Sequence, residues 1–215
     1  MKNLVFVGGG GFFLELFEYI QTDIDNRLLD NIQIRGFIDD TKDLRHDFCK
    51  YLGTIQQYQP KNGDTLLITI GNACAREKIF EKFLKYACDF YTYIHPCALI
   101  SSSATIGKGC IICPFSIVNA FATIEDNAVV NVHGSIGHES YVGQSCVLSP
   151  YAAVNGNARL GKISFMGTRA TVFPGVSVGN MVTIDSHSYA KSDTDDQMFV
   201  SSRSKYLAIK NRFIH

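Results

Sequence analysis

The sequence predicts a small α/β domain followed by a long parallel β-solenoid, and two patterns carry that expectation. Residues 94–189 divide into sixteen consecutive hexapeptides with no insertion or deletion, and ahead of them short β-rich runs alternate with stretches of helical spacing. Every hexapeptide opens with Ile, Val, Leu or Met, and its fifth place holds Ala, Ser, Cys, Gly or, in the last third, Val. One block cannot bury its own aliphatic side chain, whereas stacked blocks form ladders of such side chains inside a coil. A period of six matches neither a helix nor a heptad, and a sandwich would not hold one register for so long.

From the amino terminus, Lys2 to Val7 reads as a strand, Gly8 to Gly11 as a turn, and Phe12 to Ile20 as a helix. Ile32 to Ile38 is a second strand, ending in Asp39 and Asp40. Thr65 to Ile70 is a third, ending in Gly71 and Asn72 before a helical stretch from Ala73 to Ala87. Alternating strands and helices imply a parallel, Rossmann-like sheet, which places ligands at the carboxyl ends of its strands. Gly8 to Phe12, Asp39 with Asp40, and Gly71 with Asn72 all fall there. The glycine run either brings N–H groups to an anion at a helix start or only packs the sheet. The acidic pair is either a ligand contact or a solvated turn. The dinucleotide fingerprint is incomplete, because Phe13 stands at its third glycine.

The domain boundary is expected near Tyr91, giving residues 1–91 to the sheet domain, 92–190 to the solenoid and 191–215 to a tail. The tail turns basic at Arg203, Lys205, Lys210 and Arg212, as a coil cap or as a contact for a ligand phosphate. Overall, 20 Lys and Arg balance 20 Asp and Glu, so no net field favours nucleic acid or an acidic membrane, and the expected partner is a small molecule. The apolar run after Met1 stops at Val7, too short for a signal peptide or membrane span, and the expected location is cytoplasmic. Seven cysteines without an export signal read as free thiols. Cys110 and Cys113 form a CxxC at the fifth and second places of adjoining blocks, and no second pair supports zinc.

The block pattern of an aliphatic residue, Gly or Asn, two free places, a small residue and one more resembles the hexapeptide-repeat acyltransferases. That resemblance implies a left-handed parallel β-helix with 18 residues per coil, an exception to the right-handed crossover rule. His133 and His187 then share one column three coils apart, too far to share a metal. His138, third in IGHESY and followed by Glu139, has Ala120 and Gly156 in the coils on either side, which leaves a slot beside the imidazole. A histidine on a solenoid surface can equally be inert.

The stretch NVHGSIGHESYVG, with the earlier IGN and FIDD, resembles sugar acyltransferases of the NeuD/PglD/VioB type over nearly the whole chain. The resemblance implies a homotrimer with acetyl-CoA lying between coils of neighbouring subunits, and a nucleotide-linked amino sugar as acceptor. It puts the catalytic base on His138, its supporting carboxylate on Glu139, and the motif's asparagine on Asn131. CoA contacts fall on Gly156, Thr168 and Ser186, and the nucleotide on Gly10, Gly11, Phe12, Asp39, Asp40 and Gly71. The implied reaction is acetyl transfer to a dTDP- or UDP-linked 4-amino-4,6-dideoxy sugar for a surface polysaccharide. Competing readings are O-acetylation of a free sugar of the sialic-acid type, and a β-helix that only binds. Three departures stand out: Phe12 replaces a histidine that contacts the sugar nucleotide, Val147 replaces one that faces acetyl-CoA, and SSRSKY stands where GxPAK is usual.

Overall fold

The computed structural model describes residues 1–41, 47–86 and 88–202. The basic residues Arg203, Lys205, Lys210 and Arg212 therefore lie outside the described residues. The amino-terminal unit runs β1 (Lys2–Val7), α1 (Gly11–Asp25), β2 (Ile32–Ile38), β3 (Asp64–Ile68), α2 (Ala73–Leu84) and β4 (Asp89–Phe90). The four strands form one parallel sheet in the order β2-β1-β3-β4. β1 lies at its centre with Leu4 to Val7 fully buried, as a strand covered on both faces must be. α1 continues five residues beyond Ile20, because Asp23 is buried and accepts from the Tyr93 hydroxyl at 2.7 Å. α2 stops at Leu84, where Lys85 caps it.

The hexapeptides and the segment after them form eighteen two-residue strands in three parallel sheets, the faces of a left-handed β-helix. Face I holds seven strands, from Tyr93–Ile94 through Val129–Val130 to Phe199–Val200; face II holds six, from Leu99–Ile100 to Tyr189–Ala190; face III holds five, from Thr105–Ile106 to Ser177–Val178. Partners along a face are 18 residues apart, as in Val129↔Val147 and Thr123↔Tyr141. The winding passes beyond the last hexapeptide: Phe199–Val200 pairs with Thr183–Ile184 at a spacing of 16, a final coil two residues shorter than the rest.

Each strand couples the sixth place of one block, pointing out, to the first place of the next, pointing in. Ile112, Val118, Ile124, Val130, Ile136, Val142, Leu148, Val154, Leu160, Met166, Val172 and Ile184 fill the interior with the fifth-place residues. Interior hydroxyls and thiols are spent on backbone carbonyls, Ser116 on Asn131 at 3.0 Å and Cys146 on Gly161 at 3.0 Å, as burial requires. The fourth place turns the corner in the left-handed region, with φ between 55° and 62° at every non-glycine position from Phe115 through His133 and Glu139 to His187, and 72° at Gly175. Non-glycine residues rarely adopt that conformation, so the coil repeats a costly turn to let its short strands stack.

The outward side of face I is apolar where the other two faces are not uniformly so. Tyr93, Ile111, Val129 and Val147 are buried there against Phe13, Leu16 and Ile20 of α1, with Phe165 partly buried beside them. The amino-terminal unit is thereby seated on face I. Among the described residues no helix is long and apolar enough to cross a membrane.

Candidate active site

Two clusters of predicted residues form, on different sides of the chain. The first lies on the edge between faces II and III, the edge opposite face I. His138 and Glu139 occupy the third and fourth places of one turn, and the imidazole Nδ1 is 3.1 Å from Glu139 Oε2. A carboxylate can only accept, so Nδ1 carries the proton of this bond, and in the neutral ring Nε2 holds the lone pair. Both side chains are more than half exposed, 61% and 57%, so the pair is open to a ligand from solvent.

The turn is held in register by Glu139 N–H donating to Ala120 O at 2.9 Å and Asn157 N–H donating to His138 O at 2.9 Å. These bonds stack Ala120, His138 and Gly156 in one column. A Cβ on Gly156 would lie 2.5 Å from His138 Nε2 and 2.8 Å from Cε1, so only glycine leaves the ring its place. Among the described residues the Gly156 N–H donates to no protein acceptor. The Nε2 edge of the ring is thus packed directly against Gly156.

The second cluster lies at the carboxyl ends of β1, β2 and β3. Gly9 N–H donates to Asp39 Oδ2 at 2.7 Å, and Thr41 N–H to Oδ1 at 2.6 Å, so Asp39 ties the glycine turn to the end of β2. Asp40 Oδ1 accepts from Gln56 N–H at 3.2 Å. Gly8 needs its φ of 108°, and a Cβ there would strike Ile70 Cγ1 at 2.7 Å; Gly10 and Gly11 are exposed, with open space beside them. Gly71 is exposed next to Asn72, whose side chain accepts from Ala75 N–H at 2.9 Å and caps α2. Phe12 is half-buried against the face I cluster, and Val147 belongs to that packing too.

Other predicted residues sit elsewhere. Asn131, Thr168 and Ser186 lie on the edge between faces I and II, a corner away from His138. Asn131 Oδ1 accepts from Val132 N–H at 2.7 Å, and Thr168 and Ser186 are stacked neighbours there, with His187 N–H donating to Thr168 O at 2.8 Å. On the same edge His133 is sandwiched between Phe115 and Tyr151, ring centroids 5.1 and 4.6 Å away.

One buried constellation had no sequence signal. Arg76 of α2 is fully buried, and burial lowers its guanidinium below the ordinary value. Its donors go to Ile68 O, to Ile70 O at 3.1 Å, to Asn127 O at 2.9 and 3.1 Å, and to Asn127 Oδ1 at 2.8 Å. Asn127 Nδ2 donates to Ser145 Oγ at 2.7 Å, and Ser145 donates to Glu77 at 2.6 Å. Asn127 and Ser145 are fourth-place residues one coil apart, a spacing that becomes informative only once α2 is known to lie on that corner.

No family model matches the chain. Over 117 residues it is 33% identical to a UDP-N-acetylbacillosamine N-acetyltransferase of Bacillus subtilis (strain 168), a match covering 52% of this chain and 51% of that protein. The chain is thus aligned with about half the length of that relative. The acetyltransferase domain of PglB from Neisseria gonorrhoeae FA1090, also solved with acetyl coenzyme A, superposes with a TM-score of 0.80 at 25% identity over 93% of this chain and 96% of that one. A variant of perosamine N-acetyltransferase from Caulobacter crescentus, in complex with CoA and GDP-perosamine, superposes with a TM-score of 0.82 at 22% identity, covering 93% of both. The fold is shared along nearly the whole chain, and the resemblance to hexapeptide-repeat sugar N-acetyltransferases holds in sequence and in structure.

Proposed function

We propose that the chain is an acetyl-CoA-dependent N-acetyltransferase whose acceptor is a nucleotide-linked amino sugar, a 4-amino-4,6-dideoxyhexose on dTDP or UDP made for a surface polysaccharide. The observation that carries the reading is the orientation of His138, its Nδ1 on Glu139 and its Nε2 in the slot over Gly156. As the sugar amine attacks the thioester carbonyl, Nε2 takes the amine proton, and the carboxylate of Glu139 holds the tautomer and steadies the imidazolium. The oxyanion forms within reach of the Gly156 N–H. Collapse breaks the C–S bond, the amide forms, and the imidazolium returns its proton to the CoA sulfur.

Acetyl-CoA runs along the coils past Gly156 of one subunit, with Thr168 and Ser186 of another completing its site, since one chain sets these residues on separate edges. The nucleotide sits at the second cluster, where Gly10, Gly11 and Gly71 expose backbone and the Asp39 and Asp40 carboxylates face a base N–H; Phe12 and Asn131 border the sugar. Apolar side chains on and beside face II fit a subunit contact in a homotrimer: Leu99, Ile117, Phe121 and Tyr189 are exposed by 66%, 39%, 69% and 44%. A binding-only β-helix has no use for the paired His138 and Glu139. Acetylation of a free sugar has none for the strand-end cluster.

The test is release of CoA thiol from acetyl-CoA with dTDP- and UDP-linked 4-amino-4,6-dideoxy sugars and with sialic acid. One nucleotide sugar turns over, and His138→Ala lowers kcat by about 100-fold or more, the usual contribution of a general base. Turnover unchanged in that variant would remove His138 from the mechanism.

A further inference from the structure

We infer that Arg76 is a positioning residue for the acceptor, through a polar chain that fixes the loop after β3 to the coils; this rests on the reading above. The guanidinium bridges two parts of the molecule. On one side it binds Ile68 O and Ile70 O, the last carbonyls before Gly71 and Asn72 in the strand-end cluster. On the other it binds the main chain and side chain of Asn127, a corner residue of the β-helix. Among the described residues no carboxylate touches it, although carboxylates are the usual partners of buried guanidinium groups.

The next residue on α2, Glu77, is 8% exposed and is linked to Arg76 through Asn127 and Ser145. Gln144 Nε2 donates to the same carboxylate at 2.9 and 3.0 Å. The charges of two adjacent residues on α2 are thus balanced through side chains of two successive coils. A planar fork with five donors can satisfy two strand-end carbonyls and an amide together, which an ammonium cannot. If packing were all that was required, an apolar side chain would fill the same space without the desolvation cost. What the network adds is a defined orientation for residues 68–72 relative to the coils, and those residues open onto the nucleotide cluster.

The variants are Arg76→Lys, which keeps the charge without the fork, and Asn127→Gly, which suits the φ of 59° at that position and removes only the side-chain link. Each is assayed well below its melting temperature, with KM measured separately for the nucleotide sugar and for acetyl-CoA. Expected in Arg76→Lys is an acceptor KM raised about tenfold, the equivalent of one charge-assisted hydrogen bond, with the acetyl-CoA KM within about twofold. Asn127→Gly shifts the acceptor KM in the same direction by less. Calorimetric titration with dTDP and UDP shows the same loss for whichever nucleotide the wild type binds.

A merely structural role would lower the active fraction, so that kcat fell while both KM values held, and that result overturns the inference. Should the wild type turn over no acceptor, the enzymatic reading fails, and the calorimetry decides about Arg76 by itself. Nucleotide affinity equal in wild type and Arg76→Lys, or absent from the wild type, sinks the positioning role as well.

Discussion

Gly156 is the residue on which the proposed catalytic geometry turns, because the imidazole occupies the volume a side chain there would need. In Gly156→Ala the new Cβ meets Nε2, Cε1 and Cδ2 of His138 at 2.5 to 3.0 Å, and the ring must rotate away. Its neighbour is the far end of a side chain rather than backbone, so the coil is expected to fold with little change in melting temperature. The expected loss is about 100-fold in kcat, the scale for a misplaced reacting group, and steady-state assay beside a thermal melt checks it.

Asp64 governs stability instead. Burial would raise its carboxyl, but donation from Lys61 N–H at 2.7 Å, the Tyr58 hydroxyl at 2.8 Å and the Arg35 guanidinium outweighs burial and holds it below the usual range. A carboxyl depressed in the folded state stabilises above its unfolded pKa, about 3.9, and that contribution is lost as pH falls through the folded value. Melting temperature should therefore decline more steeply on acidification below about pH 4 in the wild type than in Asp64→Asn; parallel curves would remove the carboxyl from that role. At this scale the His138 and Glu139 pair was legible, because adjacent residues and a glycine one coil away already define a site. Arg76 was not, because its partners come from two strands and a corner that only packing brings together.

The elements obey their period more faithfully than their chemistry. Strand positions and the inward places could be read from aliphatic spacing alone, since a buried ladder tolerates no slip, whereas the 18-residue register came only with the family resemblance. The left-handed fourth place could not, because residues as different as Phe115, Asn127, Glu139 and Arg169 adopt it; the stacking of coils imposes that conformation, not propensity. The seat of the amino-terminal unit has a signal in the apolar sixth places at Ile111, Val129, Val147 and Phe165, with Tyr93 just ahead of the first block.

The cysteines follow the same division. Cys110 and Cys146 are fifth-place core residues and Cys113 is buried near α1, and burial pushes all three thiols up to about 12. Cys74 and Cys97 are exposed. Thiol titration of the native protein should label Cys74 and Cys97 rapidly, with Cys49, Cys110, Cys113 and Cys146 reacting only after unfolding, since the thiolate is the reactive form. Peptide mapping after alkylation identifies them; rapid native labelling of Cys146 would mean that the coil opens.

For the whole molecule the decisive relation is that His138 lies on the edge opposite face I, while Asp39 and the glycine turn belong to the unit seated on face I. The β-helix, with its interior filled by side chains, stands between them. A single chain therefore keeps its candidate base apart from its candidate acceptor site, whereas a ring of subunits can bring the edge of one against the amino-terminal unit of the next. The apolar sixth places mark the face that seats the first domain, but its opposition to His138 follows only once the blocks are wound three to a coil. The consequence is complementation between two inactive chains. His138→Ala keeps the strand-end cluster, and Asp39→Ala keeps the imidazole and Gly156. Co-expressed in equal amounts and assembled at random, they place an intact base beside an intact acceptor site at about one interface in four of a cyclic trimer. Acetyl transfer should thus return to about a quarter of the wild-type rate, although each variant alone is inactive. Dissociating the mixture should abolish the recovered activity, because neither chain carries both halves. A mixture as inactive as its components would place the whole reaction within one chain and require the amino-terminal unit to leave face I.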